Sequence, residues 1–276
     1  MTAAPASPIV CAMDFERILR LAIAAAYKGG EHQRNLLGKL EKVGKKNGPI
    51  DLVTEADTAA EKAILETITD VFPDHAVLAE ESGRREGNPD CRWIIDPLDG
   101  TTNYAHGVPM FCTSIAFSYK GALSVGAVLN PVSGELFTAI RERGAQLNGR
   151  SIKVSDNHPL SECLLVTGFP YNFKEIFDTV IARFGNCLKA SRGVRRLGSA
   201  ALDLCFVACG RFDGFWEQNL QPWDTAAGTL IATEAGAQVT DFNGKPFTVD
   251  MKEILATNSR IHGEMRHTLK DLKPNG

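Results

Sequence analysis

Apolar residues at helical spacing mark the first two elements of the chain. The first set, which predicts an amphipathic helix that ends at Gly29-Gly30, consists of Phe15, Ile18, Leu19, Ala22, Ile23 and Ala26. A second helix is expected to begin near Thr58, because Thr58 and Glu61 have the spacing of a capping box. This helix should stop before Pro73, which cannot continue it.

Shorter apolar runs with few polar interruptions predict strands. Residues 76–79 and 93–95 are two such runs, and each leads directly into acidic residues. Residues 111–119, 123–129 and 135–140 are rich in β-formers and are separated by Gly- and Pro-containing turns. This second pattern predicts an antiparallel meander.

After residue 150 the pattern changes to an alternation of strands and helices. Strands are expected at 164–167, 212–216, around Val239 and at 254–256, and helices at 173–188, 200–209, 222–235 and after His262. We therefore expect an N-terminal α+β half over residues 13–150 and a C-terminal α/β half over residues 151–276. The two halves are expected to form one catalytic unit, preceded by a disordered tail at residues 1–12.

Composition excludes several classes of protein. No apolar window reaches the ~20 residues of a membrane span, and a formal net charge of −3 without a basic stripe argues against nucleic acid as the primary partner. Seven scattered cysteines show neither zinc spacing nor a small disulfide framework, so we expect reduced thiols in a cytoplasmic protein. The Ala- and Pro-rich start of the chain lacks the basic residues of a signal peptide.

The segment DPLDGT at residues 96–101 carries the first candidate chemistry. Asp96 and Asp99 flank Pro97, which should end the preceding strand and turn both carboxylates out of one bend. Two carboxylates this close repel each other unless a cation neutralises them, and Mg²⁺ prefers such hard oxygen ligands. Gly100 would let the backbone approach a ligand closely, and the hydroxyls and amides of residues 101–103 at an expected helix start would favour a phosphate. Taken alone, such a segment is more often an ordinary turn with capping residues.

Three further acidic residues occupy similar positions. Glu80 follows the strand at 76–79, Asp224 follows Pro222 at the start of a helix, and Asp57 lies just ahead of the second helix. For each residue considered separately, solvation or helix capping is the default role. Their significance depends on whether the fold brings them together.

Together these segments resemble the inositol monophosphatase family. Its first signature is similar to WIIDPLDGTTN at residues 93–103, and its second to WDTAAG at 223–228 followed by EAGA at 234–237. Residues 51–57 and 80–83 also resemble segments of this family in their order and spacing along the chain. The resemblance extends from about Met13 to the end of the chain. It implies the αβαβα layered sandwich of the sugar-phosphatase superfamily, an α/β fold with the site between the two halves.

The resemblance also implies a role for each acidic segment. Glu80, Asp96 and the carbonyl of Leu98 would bind one Mg²⁺, and Asp96, Asp99 and Asp224 a second, with a third, weaker ion near Glu80. Thr101, hydrogen-bonded toward Asp57, would help to orient and deprotonate the attacking water. The family residues in contact with phosphate or alcohol correspond to Gly100, Thr101, Gly198, Ser199, Ala200, Glu217 and Asp224.

The expected reaction is Mg²⁺-dependent hydrolysis of myo-inositol monophosphate, a small phosphate monoester, to inositol and phosphate. Relatives that act on fructose 1,6-bisphosphate, adenosine 3′,5′-bisphosphate or histidinol phosphate share the carboxylates and remain alternatives. A non-catalytic regulatory binding protein is the alternative from another class. The resemblance further implies lithium sensitivity and a homodimer. Lys46 could either approach the metal loop or belong to a solvated basic loop.

Overall fold

The computed structural model describes residues 13–40, 43–46 and 52–270. The tail expected at residues 1–12 lies outside this part of the chain. The helices are α1 Phe15–Leu36, α2 Glu55–Thr69, α3 Thr101–Ala105, α4 Phe177–Ala190, α5 Ala200–Ala208, α6 Pro222–Glu234 and α7 His262–Lys270. None of the helices in the described residues is long and apolar enough to cross a bilayer.

Strands β1 to β10 belong to the first half of the chain. They are β1 Val43–Lys45, β2 Leu52–Thr54, β3 His75–Ala79, β4 Gly83–Arg85, β5 Asn88–Asp99, β6 Cys112–Tyr119, β7 Ala122–Asn130, β8 Glu135–Ile140, β9 Ala145–Leu147 and β10 Arg150–Ile152. Strands β1 and β2 pair with each other, and the others form an eight-stranded sheet in the order β10-β9-β8-β7-β6-β5-β3-β4. The meander expected over residues 111–140 is confirmed as antiparallel β6, β7 and β8.

A five-stranded sheet follows in the second half of the chain. Its strands are β11 Leu164–Thr167, β12 Gly193–Arg195, β13 Gly214–Gln218, β14 Gln238–Thr240 and β15 Glu253–Thr257. In the order β12-β11-β13-β15-β14, the first three strands are parallel, and β15 is antiparallel to both of its neighbours.

Three large clusters of buried apolar side chains fill the spaces between the layers of helices and sheets. Helices α1 and α2 pack on one face of the large sheet. Helices α5 and α6 are buried on nearly every side between the two sheets, and α4 and α7 cover the outer face of the small sheet. This arrangement confirms the expected αβαβα sandwich.

Two of the helix boundaries expected in the first half were wrong, whereas α2 ends at Thr69, before Pro73, as expected. Helix α1 continues through Gly29-Gly30 to Leu36, because these glycines allow close packing and do not end the helix. A Cβ atom at Gly29 would lie 2.8 Å from Cδ1 of Ile64 on α2. Helix α2 begins at Glu55, and its capping box consists of Thr54 and Asp57 instead of the pair expected at residues 58 and 61.

Candidate active site

An open cleft of about 600 Å³ lies where the two sheets approach each other. Nearly all the expected site residues line it: Glu80, Asp96, Leu98, Asp99, Gly100, Thr101, Gly198, Ala200, Glu217 and Asp224. Asp57 and Ser199 lie behind this wall, and each contacts a residue that lines the cleft. The structure therefore brings together segments that are up to 167 residues apart in the chain.

Asp96 and Asp99 project from an irregularity in β5. We expected Pro97 to end the strand, but pairing with β6 continues through a β-bulge between Asp96 and Asp99. The extra residue breaks the strict alternation of strand side chains, so both carboxylates can reach the cleft. The backbone N–H of Leu98 donates to Oδ1 of Asp96 at 2.9 Å. Gln33 on α1 donates to the carbonyl oxygen of Pro97 and so ties the bulge to the outer helix layer.

The carboxylate of Asp99 is held by the start of α5. Its Oδ2 accepts hydrogen bonds from Oγ of Ser199 at 2.6 Å and from the backbone N–H of Ala201 at 2.8 Å. Ser199 is 1% exposed, so its side chain supports Asp99 and does not face the cleft. Gly198 and Ala200 line the cleft directly. The sequence showed the Gly-Ser-Ala segment but not this contact between the two halves of the chain.

Glu80 follows β3 and is placed by partners on both sides. The ammonium nitrogen of Lys46 lies 2.7 Å from Oε1 of Glu80 and also contacts Glu81. Of the two positions considered for Lys46, the structure therefore shows the one beside the acidic loop and not the one in a solvated basic loop. Glu61, which is 4% exposed, accepts hydrogen bonds from the backbone N–H groups of Glu81 and Ser82, both at 2.8 Å.

Thr101 and Asp57 form a buried hydrogen-bonded pair. Oγ1 of Thr101 lies 3.0 Å from Oδ1 of Asp57 and 3.1 Å from the carbonyl oxygen of Leu98. The other carboxylate oxygen of Asp57 accepts from the backbone N–H of Thr54 at 2.7 Å. Burial raises the pKa of Asp57 to about 6, although the hydrogen bonds from Thr54 oppose this rise. The same carboxylate thus caps α2 and reaches Thr101.

Asp224 and Glu217 contribute acidic side chains from the second half of the chain. Asp224 lies in the first turn of α6, where its Oδ2 accepts from the backbone N–H of Gln221 at 2.7 Å. Glu217 lies in β13 and is 7% exposed. Burial raises the pKa of Glu217 to about 8, and the positive charge of Arg196 opposes this rise. Behind them, Asp203 on α5 is fully buried and neither carboxylate oxygen has a hydrogen-bond partner in the described chain.

The electrostatics of the cleft fit a bound cation. Burial raises the pKa of Asp96 well above its usual range, and the negative charges of Glu80 and Asp99 raise it further. The pKa of Asp224 is also raised well above the usual range, first by burial and then by Asp99. Hard carboxylate oxygens that repel one another in this way are the donor set that Mg²⁺ prefers.

These carboxylates do not yet form a closed metal cage. In the part of the chain that the structure describes, no three acidic, thiol or imidazole side chains converge as a complete set of ligands. Lys46 contacts Glu80 at the position where a cation would also be attracted. The donor chemistry therefore fits a metal ion, whereas the ammonium group of Lys46 supplies part of the positive charge in this structure.

The layered α/β fold and the acidic cleft define a phosphatase of the sugar-phosphatase type. The model of the inositol monophosphatase family matches residues 14–273, and the chain belongs to this family. It is thus an enzyme of a family whose substrates are small phosphate monoesters.

Named relatives and solved structures agree with this placement. Inositol-1-monophosphatase of Synechocystis sp. is 45% identical over 264 residues, which cover 95% of this chain and 92% of the relative. Nus factor SuhB of Pseudomonas aeruginosa is 42% identical, with 93% and 97% covered. A solved inositol monophosphatase from Anabaena (Nostoc) sp. superposes with a TM-score of 0.86 at 43% identity and covers 95% of this chain and 98% of its own.

Two more distant structures contain ions. One is an IMPase/NADP phosphatase complexed with Mg²⁺ and phosphate, 26% identical with a TM-score of 0.78, and the alignment covers 95% of this chain and 97% of that one. The other is staphylococcal inositol monophosphatase-1 in a LiCl-soaked inhibitory complex, 25% identical with a TM-score of 0.80 and the same coverage.

Proposed function

We propose that this enzyme hydrolyses myo-inositol monophosphate to inositol and phosphate with Mg²⁺ held by Glu80, Asp96, Asp99, Asp224 and the carbonyl of Leu98. The observation that carries the proposal is the convergence of these four carboxylates on one cleft from both halves of the chain. The Mg²⁺ complex of the related IMPase/NADP phosphatase supports the choice of metal. Two or three ions per site are expected from the resemblance.

Bound Mg²⁺ would supply positive charge that lowers the pKa of water and stabilises the charge of the departing alkoxide. Two residues of the chain would accept the proton that the attacking water loses. Thr101 donates its hydroxyl hydrogen toward Asp57, so its oxygen lone pairs are free to accept a hydrogen bond from the attacking water. Proton transfer through Thr101 would then end on Asp57, a buried carboxylate away from the phosphate.

The backbone at Gly100 and Thr101 would hold the phosphate. Gly100 has a φ of 95°, and a Cβ atom there would lie 2.8 Å from the carbonyl oxygen of Met110. Only glycine can adopt this conformation at this close approach. On the alcohol side, Gly198, Ala200 and Glu217 lie in the same cleft, where Glu217 would bind a hydroxyl group of the substrate.

Phosphate release from inositol 1-phosphate tests the proposal. We expect EDTA to abolish turnover, and Asp99→Asn to lower kcat/KM at least about 100-fold because the negative charge of a metal ligand is lost. Isothermal titration with Mg²⁺ should show weaker binding in the same variant. Asp178→Asn, an exposed acid in the first turn of α4, is the matched control and should leave both measurements unchanged.

Activity that persists in EDTA would contradict the metal mechanism. The same assay with fructose 1,6-bisphosphate, adenosine 3′,5′-bisphosphate and histidinol phosphate tests the alcohol separately. A much higher kcat/KM for any of these compounds than for inositol 1-phosphate would show that the proposed substrate is wrong, while the proposed type of reaction would stand.

The relatives named Nus factor SuhB favour a second, non-catalytic binding role beside hydrolysis. The retention of Glu80, Asp96, Asp99 and Asp224 in one cleft argues against such a role alone. Complementation of a deletion strain with the Asp99→Asn variant separates the two functions. Growth restored by this inactive variant would establish a role that does not need turnover.

Three further properties are proposed on the family resemblance. Lithium inhibition is supported by the staphylococcal relative's inhibitory complex, and a titration with LiCl tests it.

A homodimer is supported by the exposed apolar side chains of Phe177, Ile181 and Leu188 on α4, and light scattering measures it. A cytoplasmic location agrees with the free cysteines of the described residues, five of which are buried, and cell fractionation tests it.

A further inference from the structure

A hydrogen bond between two asparagine side chains joins two segments of the cleft wall. Nδ2 of Asn219 donates to Oδ1 of Asn172 at 3.0 Å, and both residues line the cleft. Asn172 lies in the loop between β11 and α4, and Asn219 directly follows β13. Since Asn219 is two residues from Glu217, their Cα atoms are at most ~7 Å apart. This contact, the asparagine bridge, therefore lies beside the carboxylate that is proposed to bind the alcohol.

The amide of Asn172 is oriented by its own loop. Its Nδ2 donates to Oε2 of Glu175 at 3.2 Å, and its backbone carbonyl accepts a hydrogen bond from the N–H of Glu175 at 3.0 Å. The same loop packs on Glu217, because a Cβ atom at Gly168 would overlap the carboxylate oxygens of that residue. One loop thus supports the glutamate and presents Oδ1 of Asn172 to Asn219.

The backbone of Asn219 has a conformation that favours glycine. Its φ is 62°, and its N–H donates to the carbonyl oxygen of Lys252 at 2.6 Å. Glycine adopts a positive φ without steric cost, whereas asparagine is among the few other residues that tolerate it. The turn alone therefore does not require a side chain at this position. The asparagine keeps a polar side chain in the cleft, and the turn does not explain this amide.

Asn219 and Glu217 have complementary hydrogen-bonding chemistry toward an alcohol. An asparagine amide carries two N–H donors and a carbonyl acceptor, whereas an ionised carboxylate only accepts. The bridge uses one N–H of Asn219, which leaves the second N–H and the carbonyl of the amide for a ligand. Since hydroxyl groups both donate and accept, the two side chains together can bind hydroxyls on two different carbon atoms. A polyhydroxylated alcohol can contact both side chains in this way, and an aryl or simple alkyl group can contact neither.

We propose that Asn219, oriented by Asn172, determines the specificity of the enzyme for phosphate monoesters of polyhydroxylated alcohols. Asn219 binds a hydroxyl group of the alcohol beside the one bound by Glu217. Asn172 is a positioning residue that acts through the asparagine bridge. This inference rests on the proposed phosphatase function, since the reacting phosphate occupies the end of the cleft that holds the metal ligands.

Kinetics with two substrates test this role. The quantity measured is the ratio of kcat/KM for inositol 1-phosphate to that for 4-nitrophenyl phosphate, whose alcohol has no further hydroxyl group. For Asn219→Gly, we expect this ratio to fall about 5-fold, mainly through a higher KM for inositol 1-phosphate, because one hydrogen bond to the substrate is lost. Glycine suits a φ of 62°, so the melting temperature should stay close to that of wild type.

Variants of Asn172 separate orientation of the amide from contact with the substrate. Asn172→Ala should lower the ratio about 3-fold, because Asn219 loses the partner that orients it. Asn172→Asp should restore the ratio, because the carboxylate still accepts the hydrogen bond from Asn219. The double variant Asn172→Ala/Asn219→Gly should show no larger loss than Asn219→Gly, since Asn172 acts only through Asn219. Additive losses in the double variant would overturn the role of the bridge.

Matched controls come from asparagines that do not line the cleft. Asn148→Gly removes an exposed side chain at a φ of 49°, and Asn243→Ala removes another exposed amide, so both should leave the ratio unchanged. If the bridge only stabilised the fold, Asn219→Gly would lower the melting temperature and affect both substrates equally, and this result would overturn the proposal. An unchanged ratio would overturn it as well. Failure of the phosphatase proposal would look different, because wild type would then hydrolyse neither substrate with Mg²⁺.

Discussion

Glu61 shows how a residue outside the cleft can control the residues within it. Its two carboxylate oxygens each accept one backbone hydrogen bond from the turn that follows Glu80. A carboxylate is suited to this position because it offers acceptors to both N–H groups and no donor that would oppose them. Glu61 therefore fixes the backbone from which Glu80 projects. It is a positioning residue, because it contacts the ligand-bearing loop and not the substrate.

We expect Glu61→Gln to raise the Mg²⁺ concentration needed for half-maximal activity about 10-fold, with kcat at saturating Mg²⁺ within about 2-fold of wild type. The amide keeps one acceptor but presents an N–H group to the second backbone donor. Calorimetric titration with Mg²⁺ should show the same loss of affinity. Glu66→Gln, on the same helix with a side chain that is 64% exposed, is the control. A lower melting temperature with an unchanged Mg²⁺ dependence would reduce Glu61 to a structural role.

The sequence revealed the acidic residues of the cleft but not their supports. Asp96 and Asp99 are recognisable because the motif keeps them three residues apart. Glu61 and Ser199 act on residues that are 20 and 100 positions away. Such contacts leave no local pattern, since their geometry depends on how α2 and α5 pack on the sheets. Capping was the default role of Asp57, and the resemblance implied its hydrogen bond with Thr101; the structure shows that one carboxylate does both from within the first turn of α2.

At the scale of elements, close helix packing explains one glycine position, Gly228, but not another, Gly185. Gly228 ends the second signature and lies where α6 crosses α5. A Cβ atom there would lie 2.8 Å from both Cβ and Cδ1 of Leu204. Gly185 on α4 is different, because nothing lies within 4 Å of an added Cβ atom. The same residue type is thus required for packing in one helix and merely tolerated in another.

This contrast predicts opposite effects for the same substitution. Gly228→Ala should destabilise the protein by about 1–3 kcal/mol, because the core between α5 and α6 must shift to admit a methyl group. Gly185→Ala should instead stabilise it by about 0.5–1 kcal/mol through helix propensity. Chemical denaturation of the two variants beside wild type measures both. A stabilising Gly228→Ala would show that α5 and α6 can separate at little energetic cost.

Element boundaries were predictable wherever local patterns controlled them. The bounds of β8 and β11 agree with the apolar runs at 135–140 and 164–167. The errors occurred where tertiary contacts override local signals. Glycines normally weaken a helix, yet α1 continues through Gly29-Gly30 because they bring it close to α2 and β7. Pro97 lies within β5 because a bulge accommodates it.

For the whole molecule, the cleft connects the two halves of the sandwich. Asp99 extends from the large sheet to the start of α5, and Asn103 donates to carbonyl oxygens of Met110 and Leu197, both at 2.7 Å. Asp224 approaches the same cleft from α6. Without a metal ion, the negative charges of Asp99 and Asp224 oppose this approach. A cation between them would therefore stabilise the packing of both halves as well as the site.

We accordingly expect Mg²⁺ to raise the melting temperature of the wild-type protein. At 100 times its dissociation constant, a ligand that binds only the folded state contributes about 2.7 kcal/mol, or roughly 5–10 °C for a domain of this size. Asp224→Asn should melt at or above the wild-type temperature in EDTA, because a repelling buried charge is removed. It should gain much less from Mg²⁺, because one ligand charge is missing.

Scanning calorimetry of wild type and Asp224→Asn, each in EDTA and in Mg²⁺, measures all four melting temperatures. The difference between the two Mg²⁺ shifts isolates the coupling between Asp224 and the metal from any general effect of the substitution on stability. Equal shifts in the two proteins would mean that Mg²⁺ binds without Asp224, and therefore without connecting α6 to the large sheet. Unequal shifts combined with a stable metal-free variant would show that this carboxylate is retained for metal binding at the expense of folding stability.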